Sequence, residues 1–457
     1  MKRVKFIAAL WCAKFVNILL RLLGRKGTYM PGKLAIKVCP DYIAQIRKPP
    51  RVVAITGTNG KTTVNNMLSD ALEALGSKVL SNRFGSNINA GIAAALTDGV
   101  DIFGHLKCDI AVLECDERSS ALIYPGLKPQ IILVTNLFRD SMRRNADAEY
   151  IADFISKNVT ENTKLILNAD DLLSSSLAPD NPRVYYGIDR LPFEGEPKEN
   201  IVVDTRICPI CAGSLAWDFR RYNHIGRARC PSCGFAAPEP HYRIRSADID
   251  NMTALVEDEG EERLIKLPGD AVYNIYNTLA VYAALRELGV EGSQAAAVLE
   301  SIKIVGSRFS RQSIGGRELT VIMAKGLNAV ACTRSFDYVA SQTGKRLVVL
   351  MLDDVFDEKE SSENIAWYYD ADFEFLAQED IFQIAAVGPR RLDIRLRLLI
   401  AGVPEERILT AAGLKEISEA IDVAGSEKIF VLYELYRESS AAELAGLIAD
   451  KMRSVSV

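Results

Sequence analysis

Histidine is scarce, with only His105, His224 and His241 in 457 residues. None has an evident nucleophilic cysteine partner, so the chain is not expected to release ammonia from glutamine itself; a thiol nucleophile needs a base beside it. Excess positive charge is also missing. The formal net charge is −4, which gives no global field to draw the chain onto a phosphate backbone. A secreted disulfide framework is missing as well: of nine cysteines, four form two CPxC pairs, and Cys12, Cys39, Cys108, Cys115 and Cys332 are scattered. Reduced thiols and a cytoplasmic setting fit that pattern. Long uncharged apolar runs are lacking too. In "MKRVKFIAALWCAKFVNILLRLLGRKG" Lys14 and Arg21 interrupt the apolar residues, and no small-residue cleavage site follows, which excludes a spanning helix and a signal peptide. There is no internal repeat or low-complexity tract.

What is present suits a soluble enzyme of about three domains. Residues 1–45 are expected to form an amphipathic helix, Phe6 to Leu23, with a lead-in; the helix either packs on the next domain or touches a lipid surface. "RVVAITGTNGKTTVNNMLSDALEALG" predicts a buried strand, a glycine-rich turn and a helix. "KVLSN", "DIAVLECDE", "QIILVTNL" and "KLILNADD" repeat the strand pattern between helical stretches, which indicates an α/β fold with a parallel sheet. Ligands of such sheets sit at the strands' carboxyl ends. The chain turns polar near Glu194 and regains helical periodicity at "YNIYNTLAVYAALRELG". Gly315 and Gly316 suggest a boundary, giving a central domain over 46–313 and a smaller Rossmann-like α/β domain over 314–457.

"TGTNGKTT" reads as a shortened phosphate loop, GxxGKT, opened by Gly57. Backbone amides and the helix N-terminus would hold a β-phosphate, Lys61 would reach the transferring phosphoryl group, and Thr62 would ligate magnesium. Other polar residues end neighbouring strands: Glu114 and Glu117 in "LECDE", then Asn136, Arg139 and Asp140 in "VTNLFRD". A carboxylate there could hold magnesium directly or through water.

Cys208-x2-Cys211, eighteen intervening residues, then Cys230-x2-Cys233 has the spacing of a four-cysteine zinc ribbon. Four thiolates close the tetrahedron and leave no open position, so the zinc is expected to be structural. The ribbon occupies an excursion over about 204–236. It carries Arg220, Arg221, Arg227 and Arg229 with Trp217, Phe219 and Tyr222, a set that could face nucleic acid or an anionic substrate. No recognised nucleic-acid module flanks it.

"GTNGKTT", "TNLFRD", "LNADD" and "YNIYNTLA" resemble the Mur ligases, ATP-dependent amide-forming enzymes of peptidoglycan synthesis. The resemblance implies a Mur-ligase-type ATP-binding domain and ATP contacts from Thr58, Asn59, Gly60, Lys61, Thr62, Thr63, Asn277 and Arg308. It also implies magnesium on Thr62 and Glu114, and a carboxylate activated as an acyl phosphate before an amine attacks. The ribbon, "RFGSNINAGI", "NLFRD" and "AWYYDADFE" resemble the MurT branch in particular. That branch implies amidation of D-glutamate in lipid II with ammonia from a GatD-like glutaminase, which docks on the C-terminal domain and is completed by an aspartate. Asp370 matches best; Asp353, Asp354 and Asp357 compete. The pattern also departs from the family. "GSRFSR" keeps Arg308 but has Ser310 or Arg311 where GRxE has its acid, and "KGLNA" keeps only Lys325 and Asn328 of KNPxG. Two other readings stay open: a Mur or folylpolyglutamate-type ligase that adds an amino acid without a partner, and a zinc-ribbon nucleic-acid-binding NTPase.

Overall fold

The computed structural model describes residues 2–140, 147–192, 194, 200–302, 309–324, 328–353 and 365–455. It divides into two compact units. The first takes residues 1–138, 147–198 and 204–304, and the second takes 139–146, 199–203 and 305–457.

The chain opens with helices α1 (Lys2–Leu22), α2 (Met30–Val38) and α3 (Tyr42–Gln45). They are part of the first unit rather than a separate lead-in. Ala9, Leu10 and Ala13 of α1 and Tyr42 of α3 share one apolar core with Val52 and Ile92. Strands β1 (Arg51–Thr56), β2 (Val79–Ser81), β3 (Ile110–Glu114), β4 (Ile131–Val134), β5 (Lys164–Asn168) and β6 (Arg183–Ile188) are the expected βα series. All pair in parallel. Helices α4 (Lys61–Ala74), α5 (Asn89–Asp98), α6 (Ser120–Leu127), α7 (Ala148–Ser156) and α8 (Leu172–Ser175) lie between them. The order β6-β5-β4-β1-β3-β2 puts β1 between β3 and β4, where the chain crosses from one side of the sheet to the other, and ligands bind at such a point.

After β6 the chain makes a hairpin of β7 (Ala216–Tyr222) and β8 (Ile225–Arg229), then returns to the sheet as β9 (Tyr242–Asp248), β10 (Thr253–Asp258) and β11 (Glu261–Lys266). β9 runs parallel to β6, whereas β10 and β11 are antiparallel. Glu259 and Gly260 both have positive φ, as a two-residue hairpin turn requires. This meander was not expected from the polar sequence after Glu194. Helices α9 (Val272–Glu287) and α10 (Gly292–Ser301) complete the unit.

The second unit has a six-stranded sheet, β12-β13-β17-β14-β15-β16. Its strands are β12 (Phe309–Ile314), β13 (Arg317–Met323), β14 (Arg346–Met351), β15 (Ile381–Val387), β16 (Ile408–Ala411) and β17 (Lys428–Tyr433). Helices α11 (Ala329–Ser341), α12 (Trp367–Asp370) and α13 (Arg391–Ile400) belong to it. The expected boundary at 313/314 is corrected here, because β12 pairs antiparallel with β13 and the units divide at 304/305. Gly315 and Gly316 both have positive φ, so they form a hairpin turn within one sheet rather than a linker.

Candidate functional site

β1 delivers the chain into the loop Gly57–Gly60, and α4 begins at Lys61. Gly57 and Gly60 have φ of +123° and +87°, values that an L side chain rarely adopts. A Cβ at Gly57 would lie 2.3 Å from Thr135 Oγ1, and one at Gly60 would lie 2.5 Å from Asn277 Oδ1. The loop is therefore clasped from the β4 side by Thr135 and faced from α9 by Asn277. Asn59 exchanges two hydrogen bonds with the Asn136 side chain, its N–H donating to Oδ1 and its carbonyl accepting from Nδ2, both 3.0 Å. The Thr58 hydroxyl accepts from Phe138 N–H at 2.9 Å and donates to Phe138 O at 3.1 Å. Gly60 gives α4 no side-chain cap, so the first-turn amides point into the loop, the arrangement that binds phosphate.

Lys61 lies at the mouth of this loop. Its Nζ donates to Glu117 Oε1 at 2.6 Å and also to Gly57 O. Glu117 is 3% exposed. Burial pushes its carboxyl above the usual range, against the opposing pull of the Lys61 ammonium. Thr62 Oγ1 donates to Glu114 Oε2 at 2.9 Å, and Asn87 Nδ2 holds the other oxygen at 3.0 Å. Two adjacent oxygens on an octahedral magnesium with bonds of 2.0–2.1 Å are about 2.9 Å apart, so Thr62 and Glu114 fit that ion. Thr63 is half-buried one step into α4. Arg308, Lys325, Asp354 and Asp357 lie outside the described residues. Glu117, named from "LECDE" as a possible magnesium carboxylate, pairs with Lys61 instead, and Asn87, within the quoted "RFGSNINAGI", is a contact that motif reading did not assign.

In the hairpin insertion, Cys208, Cys211, Cys230 and Cys233 bring their sulfurs within 4.8 Å of one another. The pairs Cys208–Cys233 and Cys211–Cys230 are 3.6 and 3.5 Å apart. Zinc–sulfur bonds of about 2.3 Å in a tetrahedron give edges of about 3.8 Å, so these four fit zinc. His224 and Asn223 form the turn of this hairpin, between Tyr222 and Ile225.

That hairpin is fastened to the phosphate-loop framework through "LNADD". Arg221 Nη1 donates to Tyr276 OH at 2.8 Å, and Tyr276 OH donates to Asp170 Oδ2 at 2.8 Å. Arg227 reaches Asp170 at 3.1 Å and Asp189 at 3.0 Å. His224 Nε2 lies 2.9 Å from Asp171 Oδ1, while Asp171 Oδ2 accepts from Leu137 N–H at 2.7 Å. The Phe138 ring packs on His224, with centroids 5.0 Å apart, and the Phe138 backbone is bonded to Thr58. A continuous chain of contacts thus runs from the ribbon to the loop. Arg221 and Arg227 are committed to internal carboxylates, which corrects the reading of them as a free face for nucleic acid or an anionic substrate.

In the second unit Asp370 ends α12 and is half-buried. Arg397 on α13 donates to Tyr368 O and Ala371 O, both 2.9 Å, fixing α12 against α13. Asp353 is buried and ion-paired with Arg437 at 2.5 Å. Asn328 caps α11 through Ala331 N–H. Asp372, which motif reading passed over, accepts from Asn200 Nδ2 at 2.9 Å and Ile201 N–H at 2.6 Å.

Residues 55–191 match the Mur ligase middle domain, and residues 326–436 match the MurT ligase C-terminal domain. The lipid II isoglutaminyl synthase (glutamine-hydrolyzing) subunit MurT of Staphylococcus aureus (strain COL) is 31% identical over 421 residues, covering 91% of this chain and 93% of that one. The subunit of the same name from Streptococcus pneumoniae (strain ATCC BAA-255 / R6) is 30% identical over 438 residues, 94% of each. Among solved structures, a pseudomurein peptide ligase type C from Methanothermus fervidus superposes with a TM-score of 0.65 at 22% identity, over 93% of this chain and 83% of that one. The MurF ligase of Thermotoga maritima in complex with ADP gives 0.59 at 15%, over 93% and 84%. These two share the fold. With a MurT relative matched along nearly its whole length and both domain types present, the chain belongs to the MurT family of Mur ligases.

Proposed function

We propose that this chain is the synthetase subunit of a lipid II isoglutaminyl synthase. It would amidate the α-carboxylate of D-glutamate in the lipid II stem peptide, using ATP and ammonia supplied by a separate glutaminase. The observation that carries the reading is the gathering of Lys61, the Thr62–Glu114 pair and Asn277 around one loop in a chain that also has the four-cysteine hairpin.

The α4 amides and Lys61 hold the phosphate chain of ATP, with Asn277 on the adenine side. Magnesium on Thr62 and Glu114 would offset charge on the phosphate oxygens. A carboxylate oxygen attacks the γ-phosphorus, ADP departs and an acyl phosphate forms. Ammonia attacks the acyl carbon, phosphate leaves, and a proton lost from nitrogen completes the amide. The Lys61 ammonium, anchored by Glu117, stabilises charge on the transferring group where it develops. We place the glutaminase against Asp370 and the exposed Leu392, Leu396 and Ile400, which recur at four-residue spacing on α13. Asp353, buried against Arg437, is a poorer match for the shared aspartate.

The purified chain with a glutaminase subunit, given glutamine, ATP and lipid II, should form ADP and a product in which one hydroxyl is replaced by an amino group, read by mass spectrometry. Phosphate release stimulated by an amino acid but not by ammonia would replace this reading with that of an amino-acid-adding ligase.

A further inference from the structure

We propose that α1 lies flat on an anionic lipid surface and docks the first unit there. Along α1, Val4, Ile7, Trp11, Phe15, Ile18 and Leu22 follow one another at steps of three and four and are all exposed, Phe15 at 68% and Leu22 at 79%. Ala9, Leu10, Ala13 and Asn17 are buried on the opposite side, about half a turn away at 3.6 residues per turn. One apolar stripe is accounted for by the core of the unit, and the other faces solvent. Single exposed apolar residues are ordinary on a protein surface; a continuous stripe is not. Trp11 Nε1 donates to Ile102 O at 2.9 Å, which adds Ile102 and Phe103, 54% and 74% exposed, to the same patch.

The helix is fastened in this orientation. Lys14 Nζ donates to Thr97 O in the last turn of α5 and to Val100 O just beyond it, and Asn17 Nδ2 donates to Asp98. The stripe is therefore presented rigidly.

Charge decides what covers it. Residues 1–48 contain eleven Lys and Arg against one Asp, a net +10, within a chain of net −4, so the remaining residues carry −14. Arg3, Lys5, Arg21, Arg25 and Lys26 are exposed, and Lys26 Nζ lies 4.9 Å from the ring centroid of the exposed Phe84. An apolar stripe bordered by Lys and Arg matches the boundary between anionic headgroups and acyl chains. A second copy would bring like charge against like. None of the helices among the described residues is long and apolar enough to cross a membrane, so the contact is at the surface. The proposal goes beyond the ligase reading and stands without it, since it is tested by binding rather than turnover.

The full-length chain should float with phosphatidylcholine vesicles that contain phosphatidylglycerol and not with phosphatidylcholine alone. Added salt should weaken binding, and Trp11 emission should shift to the blue, a shift absent from Trp11→Phe. Phe15→Ser/Ile18→Ser/Phe103→Ser, all at exposed positions, should lose the apolar contribution. Lys5→Ala/Arg25→Ala should weaken binding on the order of tenfold at low salt. No flotation with anionic vesicles, or equal flotation of the triple-serine variant, overturns the proposal. So does sedimentation showing a dimer that the triple-serine variant dissolves, with no vesicle binding, because the face would then join two copies.

Discussion

At the residue scale the outcome turns on Lys61 and its partner. Lys61→Ala should lower ATP-dependent amide formation at least about a hundredfold, with circular dichroism and zinc content unchanged; near-normal turnover would remove the lysine from the reaction. Glu117 gives a pH signature. Its folded pKa stands above its unfolded value, so the folded state keeps a proton that the unfolded chain has released. Stability from this group is present at low pH and falls as pH rises from the ordinary carboxylate range through the folded pKa. Glu117→Gln should flatten that part of the Tm-against-pH curve, and an unchanged slope would contradict the assignment. Lys61, Thr62 and Glu114 could be singled out because a phosphate loop and a magnesium carboxylate need particular residue types at strand ends and helix starts, whereas Asn277 was singled out through the family resemblance alone; the roles of all four are proposals. Glu117 as the lysine's anchor, and Asp372 as a tether for residues 200 and 201, were not legible. Each depends on a through-space pairing that no spacing along the chain records.

At the element scale the hairpin from Cys208 to Cys233 acts as a brace. Arg221→Met should leave zinc stoichiometry intact and lower stability by about 3 kcal/mol, because buried Asp170 loses one of its partners. Through Tyr276, which precedes Asn277, it should also raise the KM for ATP with a smaller effect on kcat. An unaltered KM would reduce the brace to a local fold. Zinc removal from the intact chain should likewise raise the Kd for ATP, measured by calorimetry without any turnover. Most strands were legible, since fully buried parallel strands read as short β-branched runs between turn residues. The β9–β11 meander escaped because its strands are half-exposed and charged, as in "EERLIK", and their pairing is set by the Glu259–Gly260 turn. The arginines were misread because charge in a sequence looks the same whether it faces water or an internal aspartate.

At the scale of the whole molecule, each unit carries one half of the proposed division of labour: nucleotide in the first, partner in the second. Asp370→Asn should therefore impair glutamine-driven synthesis while sparing synthesis driven by added ammonium. Equal loss of both would move Asp370 into the synthetase chemistry. The unit boundary was read nine residues too late, at 313/314 instead of 304/305. A Gly-Gly pair signals a sharp turn without saying whether the flanking segments part or pair. The cysteine hairpin has one more consequence, for physiology. If the four cysteines hold zinc and the stiffness of the phosphate loop depends on it, the proposed function makes the cell's zinc supply an input to its wall chemistry. On the proposed function, a culture starved of that element would leave its peptidoglycan precursors under-amidated.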